Sequence, residues 1–158
     1  MKSMLLRKQI EEMRKVDQAL RFKALEEQNK RSSKKTSLGT YNYLVYLADL
    51  LHGLKIKEMI KDHGYPNQKK IGQDGMHDFW LLIQHQDQDL LLQKKCLRFC
   101  SFSGPDFAHL TDRVLLNSGK KQRYGTQYTG KLDNKGNRIL QPLEDPKNLE
   151  KRRRSVGM

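Results

Sequence analysis

The sequence predicts a mainly α-helical fold: a compact bundle of about five helices, then a small C-terminal β-hairpin and a short terminal helix. Apolar residues recur at helical spacing over most of residues 3–118. Glycine, proline and capping residues interrupt that periodicity where one helix would end and the next begin. Residues 134–137, with the sequence Asn-Lys-Gly-Asn, have strong turn chemistry and favour a hairpin near the C terminus.

Composition excludes several classes of protein. The chain has 158 residues and a formal net charge of +13, from 31 Lys and Arg against 18 Asp and Glu. No apolar run approaches the roughly 18 residues that a membrane-spanning helix needs. Two cysteines cannot build a disulfide scaffold, and the first residues lack the apolar segment of a signal peptide. We therefore expect a cytoplasmic protein, consistent with a bacterial source, that spans no membrane.

The positive charge is concentrated at the two ends of the chain. Residues 1–40 carry a net charge of +6, residues 41–119 are balanced, and residues 120–158 carry +7. Basic ends often attract nucleic acid or anionic lipid, but a solvated surface that aids solubility is the simpler interpretation. The charge distribution by itself therefore favours a solvated surface.

The first predicted helix covers residues 3–29. One of its faces is apolar and comprises Leu6, Ile10, Met13, Val16, Leu20 and Ala24. Asp17 lies inside that apolar stripe, and Arg21 lies at its edge one turn later. The pair indicates either a structural ion pair or a buried polar site, and the i,i+4 spacing favours the ion pair.

A basic linker follows, and we expect a single domain overall. Residues 1–29 would form an amphipathic helix that packs on the bundle, residues 30–39 the linker, and residues 40–158 a helical core with the C-terminal hairpin. A second helix is predicted from about Thr40 to Asp62. Gly64 and Pro66 end it, because glycine caps helices and proline cannot continue them.

The next two helices carry polar residues at their ends and on their apolar faces. The third is predicted from near Asp74 and is apolar all round, which is typical of a buried helix. It ends in Gln84-His85-Gln86-Asp87, so those polar groups emerge from a buried element. Asp87 or Asp89 then caps a fourth helix that runs to about Phe99, with Gln93 in its apolar face.

The last elements contain a segment rich in hydrogen-bonding groups. A fifth helix spans about Asp106 to Ser118, with Asp112 and Arg113 flanking its apolar face. The hairpin would pair residues 120–129 with residues 138–143, and a helix would follow at residues 145–154. On such a strand Gln122, Tyr124 and Thr126 share one face. They are either ordinary polar decoration or one wall of a ligand pocket.

Common catalytic signatures are absent. The chain has no His-Glu-x-x-His, no Cys-x-x-Cys and no Gly-x-Ser-x-Gly. Residues 125–131 match the start of a phosphate-binding loop, but Leu132 stands where Ser or Thr would bind magnesium. The five histidines show no chelating pattern, so we predict no metal site, and the sequence identifies no cofactor.

The order of motifs resembles an uncharacterised bacterial family of unknown function, DUF6624. The motifs run from Val16 to Gly157, and together they cover nearly the whole chain. They are Asp17-Gln18-x-x-Arg21, Gly64-Tyr65-Pro66, Gly72, Gln84-His85-x-Asp87, Gln93, Ala108-x-Leu110-x-Asp112-Arg113, Gly119-x-x-Gln122-x-Tyr124-Gly125-Thr126-Gln127 and Arg153-x-x-Val156-Gly157.

Two positions depart from the family pattern, which has Trp at Tyr65 and Asn at His52. The resemblance implies no activity, but most of its motif positions are polar and several lie on or beside apolar faces. Because buried polar groups must satisfy one another or a ligand, the resemblance favours a shared polar site between helices and hairpin.

The first hypothesis is therefore a small enzyme or ligand-binding domain with a polar pocket around His85, Asp112, Arg113 and residues 122–127. His85 would exchange protons, since imidazole titrates near neutrality, and Asp112 or Asp87 would orient its ring. A small polar or anionic ligand would be bound by Asp17, Arg21, Gln84, Asp87, Gln93, Arg113, Gln122, Tyr124 and Gln127.

The second hypothesis is a basic module that binds nucleic acid or an acidic protein. It would use residues 30–35 and 151–154 at the charged ends, and its binding would weaken steeply with salt. A third is an interaction module whose polar network only stabilises the fold.

Overall fold

A computed structural model describes residues 2–30 and 39–158, with the backbone alone at residue 2. Within these residues the chain forms six α-helices, one 3₁₀ helix and one two-stranded antiparallel hairpin. The prediction of a mainly α-helical fold with a small hairpin and a short terminal helix is confirmed. Two compact units are present, residues 1–86 and residues 87–158.

The first unit is built from three helices. They are α1 (Lys2–Lys30), α2 (Thr40–His63) and α3 (Gln68–Gln84), and α1 packs against both of the others. The core is formed by apolar side chains of all three helices: Leu6, Ile10, Ala24, Ala48, Ile56, Met59, Ile71, Met76, Phe79, Trp80, Leu82 and Ile83. The apolar face predicted for α1 contributes Leu6, Ile10 and Ala24, whereas Val16 is half exposed.

Helix α3 consists of a short first segment and a longer second segment that begins beside the predicted start near Asp74. The N-cap of the first segment is Asn67, whose side chain accepts a hydrogen bond from the backbone of Lys70. The two segments meet in a kink at Gly72, where φ is 72° and ψ is 173°. Only glycine adopts this conformation without strain, so the kink depends on glycine at this position.

The second unit begins with two helices and their caps. Helix α4 (Leu90–Phe99) is capped by Asp89, one of the two predicted caps, whose carboxylate accepts a hydrogen bond from the backbone of Leu92. Helix α5 (Gly104–Asn117) is capped by Ser103. Its first residue lies against the C terminus: a Cβ on Gly104 would be 2.1 Å from the Val156 carbonyl oxygen.

The hairpin is shorter than predicted. Its strands are β1 (Tyr128–Leu132) and β2 (Arg138–Leu140), and the predicted turn at residues 134–137 lies between them. Residues 120–127 are not a strand; Gln122 makes a single isolated bridge to Leu143. The prediction that Gln122, Tyr124 and Thr126 share one face of a strand is therefore wrong. The backbone here forms a loop because its N–H groups donate to the side chain of Asp112.

The chain ends in a 3₁₀ turn (Pro146–Asn148) and helix α6 (Leu149–Ser155). Both cysteines are buried free thiols in the second unit. Of the helices in the described ranges, none combines the length and apolar character needed to cross a bilayer.

Candidate functional site

A cluster of charged and polar side chains lies within the first unit, centred on Asp17 of α1. Asp17 is only 2 % exposed, and both of its carboxylate oxygens are engaged. Oδ1 accepts a hydrogen bond from Nε of Arg21 at 3.0 Å and lies 3.0 Å from Nδ1 of His85. Oδ2 accepts one from Nε2 of Gln18 at 2.7 Å. The predicted ion pair with Arg21 is therefore present, and it belongs to a larger buried polar site.

Arg21 connects α1 to α2. Besides the contact with Asp17, its Nη2 donates to Oδ1 of Asp49 at 2.6 Å. The guanidinium thus lies against two carboxylates, and its side chain keeps 30 % of its surface exposed. Asp49 was not among the predicted site residues. A signal was available, because Asp49 and His52 are three residues apart and so share one face of α2.

His52 is the second histidine near this cluster. It is buried, and its Nδ1 has no hydrogen-bond partner among residues 2–30 and 39–158. Burial lowers the pKa of His52; the negative charge of Asp17 opposes this, while the positive charge of Arg21, and of His85 when its ring is protonated, acts in the same direction as burial. We therefore expect a neutral imidazole at neutral pH.

The two carboxylates beside Arg21 have opposite pKa shifts. Burial disfavours the charged form of Asp17, but the hydrogen bond and charge of His85, followed by Arg21 and Gln18, outweigh it and lower the pKa. Burial also disfavours the charged form of Asp49, and Arg21 offsets this effect only in part. The negative charge of Asp17 disfavours ionisation further, so the pKa of Asp49 is raised. The difference follows from the number of donors around each carboxylate.

His85 lies directly after α3, where it is the C-terminal cap with helical backbone angles. Its side chain is 15 % exposed. The hydrogen bond to Asp17 uses Nδ1, so Nε2 is the ring atom that can meet a ligand. Next to it, Gln86 is buried against α2, since a Cβ on Gly53 would lie 2.4 Å from its Oε1. Close packing therefore restricts the chain around His85.

Asp17, Asp49 and His85 also have the side-chain types of a metal site. One ligand atom from each lies within 4.8 Å of the others. Arg21, however, already places its guanidinium against an oxygen of both carboxylates. It supplies the positive charge that a cation would otherwise contribute, and a metal would have to displace it. The geometry thus favours an ion-paired polar site, and the absence of a metal stays a prediction.

Asp112, the predicted partner of His85, instead binds backbone in the second unit. It is completely buried. Its carboxylate accepts hydrogen bonds from the backbone N–H groups of Arg123 at 2.6 Å, Tyr124 at 2.9 Å and Thr126 at 2.9 Å. It also accepts one from the Thr126 hydroxyl at 2.9 Å. These contacts hold residues 123–126 as a loop on α5.

The glutamines predicted to bind a ligand stabilise the same loop. Nε2 of Gln122 donates to the backbone carbonyls of Gln127 and Gln141, and its Oε1 accepts from the Gln127 backbone. Nε2 of Gln127 donates to the Thr126 hydroxyl at 3.1 Å. The ring of Tyr124 is buried and contacts Phe107 edge to face. The many hydrogen-bonding groups of this segment thus bind one another and stabilise the loop.

Asp87 and Arg113 form a separate ion pair. The guanidinium binds both carboxylate oxygens, at 2.7 and 2.5 Å, and Asn117 donates to Oδ1 at 2.9 Å. Gln93, fully buried, donates more weakly at 3.4 Å. Burial opposes ionisation of Asp87, but the hydrogen bond and charge of Arg113 outweigh it and lower the pKa.

The predicted site residues therefore fall into three hydrogen-bonded sets. The first set comprises Asp17, Arg21 and His85, and the second comprises Asp87, Gln93 and Arg113. The third set holds the loop at residues 123–126 and comprises Asp112, Gln122, Tyr124 and Gln127. The carboxylate that contacts His85 is Asp17, whereas the sequence suggested Asp112 or Asp87. Gln84, next to His85 on α3, is only partly exposed.

The basic ends can be followed only in part. Of the first basic segment, residues 31–35 lie outside the described residues. At the other end, Arg152 donates to the backbone carbonyls of Arg123 and Asp145. This arginine has a structural contact, and the binding of nucleic acid or acidic protein stays a prediction.

The fold and the buried Asp–Arg–His cluster define a small α-helical protein with a polar site among three helices. A family model described as a family of unknown function (DUF6624) matches residues 5–158, so the chain belongs to that family. No curated protein and no solved structure matches the chain.

Proposed function

We propose that the protein is a small enzyme in which His85 exchanges a proton with a bound polar substrate. The observation that carries the proposal is the 3.0 Å contact between Nδ1 of His85 and the buried carboxylate of Asp17. A carboxylate at Nδ1 favours the tautomer with its proton on that atom, so Nε2 presents a lone pair to the substrate. It also stabilises the imidazolium that forms when Nε2 takes up a proton.

The surroundings of the pair support this role. The lowered pKa of Asp17 keeps it ionised at neutral pH, as a carboxylate that stabilises an imidazolium must be. The side chain of His85 is 15 % exposed, so it is largely enclosed by protein but still accessible to a ligand. Arg21, also part exposed, is already paired with Asp17 and Asp49. Its remaining N–H groups can donate to a polar substrate, which would therefore be favoured.

The proposal assigns the orienting role to Asp17 in place of Asp112. Asp112 has both oxygens committed to the loop at residues 123–126, so a change there would act through the stability of the second unit. Asp49 and His52 would complete the wall of the site on the α2 side. A neutral His52 suits hydrogen bonding to a polar ligand better than charge pairing.

Untargeted mass spectrometry tests the proposal without a known substrate. Purified protein is incubated with a polar metabolite extract, and the loss of substrate and gain of product are followed over time. Wild type should convert at least one polar metabolite. His85→Ala should lower the rate by about 10²–10⁴-fold, the usual contribution of a general acid–base, and Asp17→Asn should lower it as well.

His77→Ala is the matched control. His77 is an exposed histidine on α3 whose ring stacks on Trp80, so removing it changes the histidine count without touching the cluster. The control should keep wild-type conversion. Conversion by His85→Ala at the wild-type rate would refute the role of His85, and failure of wild type to convert any metabolite would refute an enzymatic function.

A further inference from the structure

Helix α2 is apolar on both sides, which is unusual for a helix at a protein surface. One side faces the core of the first unit through Ala48, Gly53, Ile56 and Met59. The opposite side carries seven large apolar residues whose exposure ranges from 36 to 65 %. We call these residues the outer face of α2: Tyr43, Leu44, Tyr46, Leu47, Leu50, Leu51 and Leu54.

The outer face is continuous and uncharged. At about 100° per residue its seven members fall within an arc of roughly 160° that is centred opposite the buried side. Asp49 is the one charged residue between Tyr41 and Leu54, and it points to Arg21 on the core side. Scattered apolar residues are normal on surfaces, but a contiguous patch of this kind marks an interaction site.

Its size matches half of a protein–protein interface. The exposed fractions of the seven side chains add up to about three and a half whole side chains. At roughly 200 Å² for a large side chain this is on the order of 700 Å² of apolar surface. A stable interface buries about 800 Å² on each partner, so one copy of this face suffices for one side.

The spacing of the leucines indicates what covers the face. Leu44, Leu47, Leu51 and Leu54 follow one another at intervals of three, four and three residues. This is the a and d spacing of a coiled-coil heptad, in which side chains of one helix pack between those of an equivalent helix. Such a stripe is complementary to itself, as a two-fold interface requires.

A lipid surface fits the face less well. Helices that lie in a membrane interface pair their apolar side with a polar side rich in Lys and Arg. The other side of α2 is instead the core of the first unit, with Ile56 and Met59. A second copy of the chain therefore explains the pattern better than a bilayer does.

We propose that the protein forms a symmetric homodimer through the outer face of α2. This inference goes beyond the proposed acid–base function and does not depend on it. The site residues of α2, Asp49 and His52, lie on the side of the helix away from the outer face. Disruption of the dimer should therefore leave the Asp17–His85 contact in place.

Sedimentation velocity of the full chain over a concentration series tests the dimer. The double variant with Leu51→Glu and Leu54→Glu changes two residues that are each 65 % exposed, so the fold should tolerate it. Leu91→Glu, at a leucine 62 % exposed on α4, is the matched control. Far-UV circular dichroism confirms that each variant is folded.

Wild type and the control should sediment at twice the 18.6 kDa mass of the chain. The double variant should be monomeric, with dissociation at least about 100-fold more favourable, because four buried leucines per dimer become charged. A monomeric wild type, or a double variant that remains dimeric, would overturn the proposal. A monomeric wild type that binds anionic vesicles would assign the outer face to lipid instead.

Discussion

Removal of the Asp112 carboxylate should destabilise the second unit severely. In Asp112→Ala the backbone N–H groups of Tyr124 and Thr126, both buried residues, lose their acceptor, together with the Thr126 hydroxyl. A buried donor left unpaired costs about 1–3 kcal/mol. The N–H of Arg123, an exposed residue, can turn to water and costs less. With three such donors, the expected loss in the free energy of unfolding is at least about 3 kcal/mol.

Asp133 offers a control, because its carboxylate also accepts backbone hydrogen bonds but does so at the surface. Its Oδ1 accepts the backbone N–H groups of Lys135 and Asn137, each at 2.8 Å, but in an exposed turn. Water replaces the carboxylate there, so Asp133→Ala should cost less than about 1 kcal/mol. Each substitution removes a carboxylate that accepts backbone hydrogen bonds, from three N–H groups at Asp112 and from two at Asp133, and the two sites differ most in burial.

Urea unfolding followed by circular dichroism, with hydrogen exchange of peptides covering residues 120–128, measures both effects. Exchange is needed because two compact units need not unfold in one transition. The loop peptide should lose protection in Asp112→Ala and keep it in Asp133→Ala. Equal stability losses in the two variants would refute the argument that burial makes the Asp112 contacts important, and would reopen a catalytic role for that residue.

Two further predictions concern acid stability and the C terminus. The pKa of Asp17 is lowered on folding, so this carboxylate stabilises the fold above its ordinary pKa of 3.8, and the stabilisation is lost as the pH falls through the lowered pKa. Between pH 6 and pH 2 the urea midpoint should therefore fall less steeply for Asp17→Asn than for wild type. Equal slopes would contradict this. Gly104→Ala places a Cβ 2.1 Å from the backbone oxygen of Val156, so the last turn of the chain must move. Limited proteolysis should therefore cleave residues 154–158 faster than in wild type. An unchanged rate would show that the close contact is not required.

Local signals predicted the helices well. The apolar period of α1 and α2, the Asp89 cap of α4 and the turn chemistry at residues 134–137 all concern residues close together in the chain. The third helix, predicted from near Asp74, corresponds to the part of α3 after the Gly72 kink. The short segment ahead of it, residues 68–71, was not predicted.

Which of the predicted site residues contact one another could not be predicted, because the partners are distant in sequence. The position of Asp17 on an apolar face correctly indicated a buried polar group. Its main partner besides Arg21 is His85, 68 residues later, and no spacing rule connects them. The sequence suggested Asp112 or Asp87 as the carboxylate that orients His85, since polar residues near apolar faces look alike whether they bind a ligand or a backbone.

What the sequence by itself determined is the set of helices, the hairpin turn and the choice of residues that must be buried with a polar partner. Periodicity and capping act over a few residues, so they can be read from the chain directly. Apart from the i,i+4 pair of Asp17 and Arg21, only the tertiary structure decided which donor each buried carboxylate meets. That pairing depends on how helices pack: the contacts of α1 with α2 and α3 bring Arg21 to Asp49 and Asp17 to His85, whereas Asp112 on α5 meets the backbone of the loop that follows its own helix.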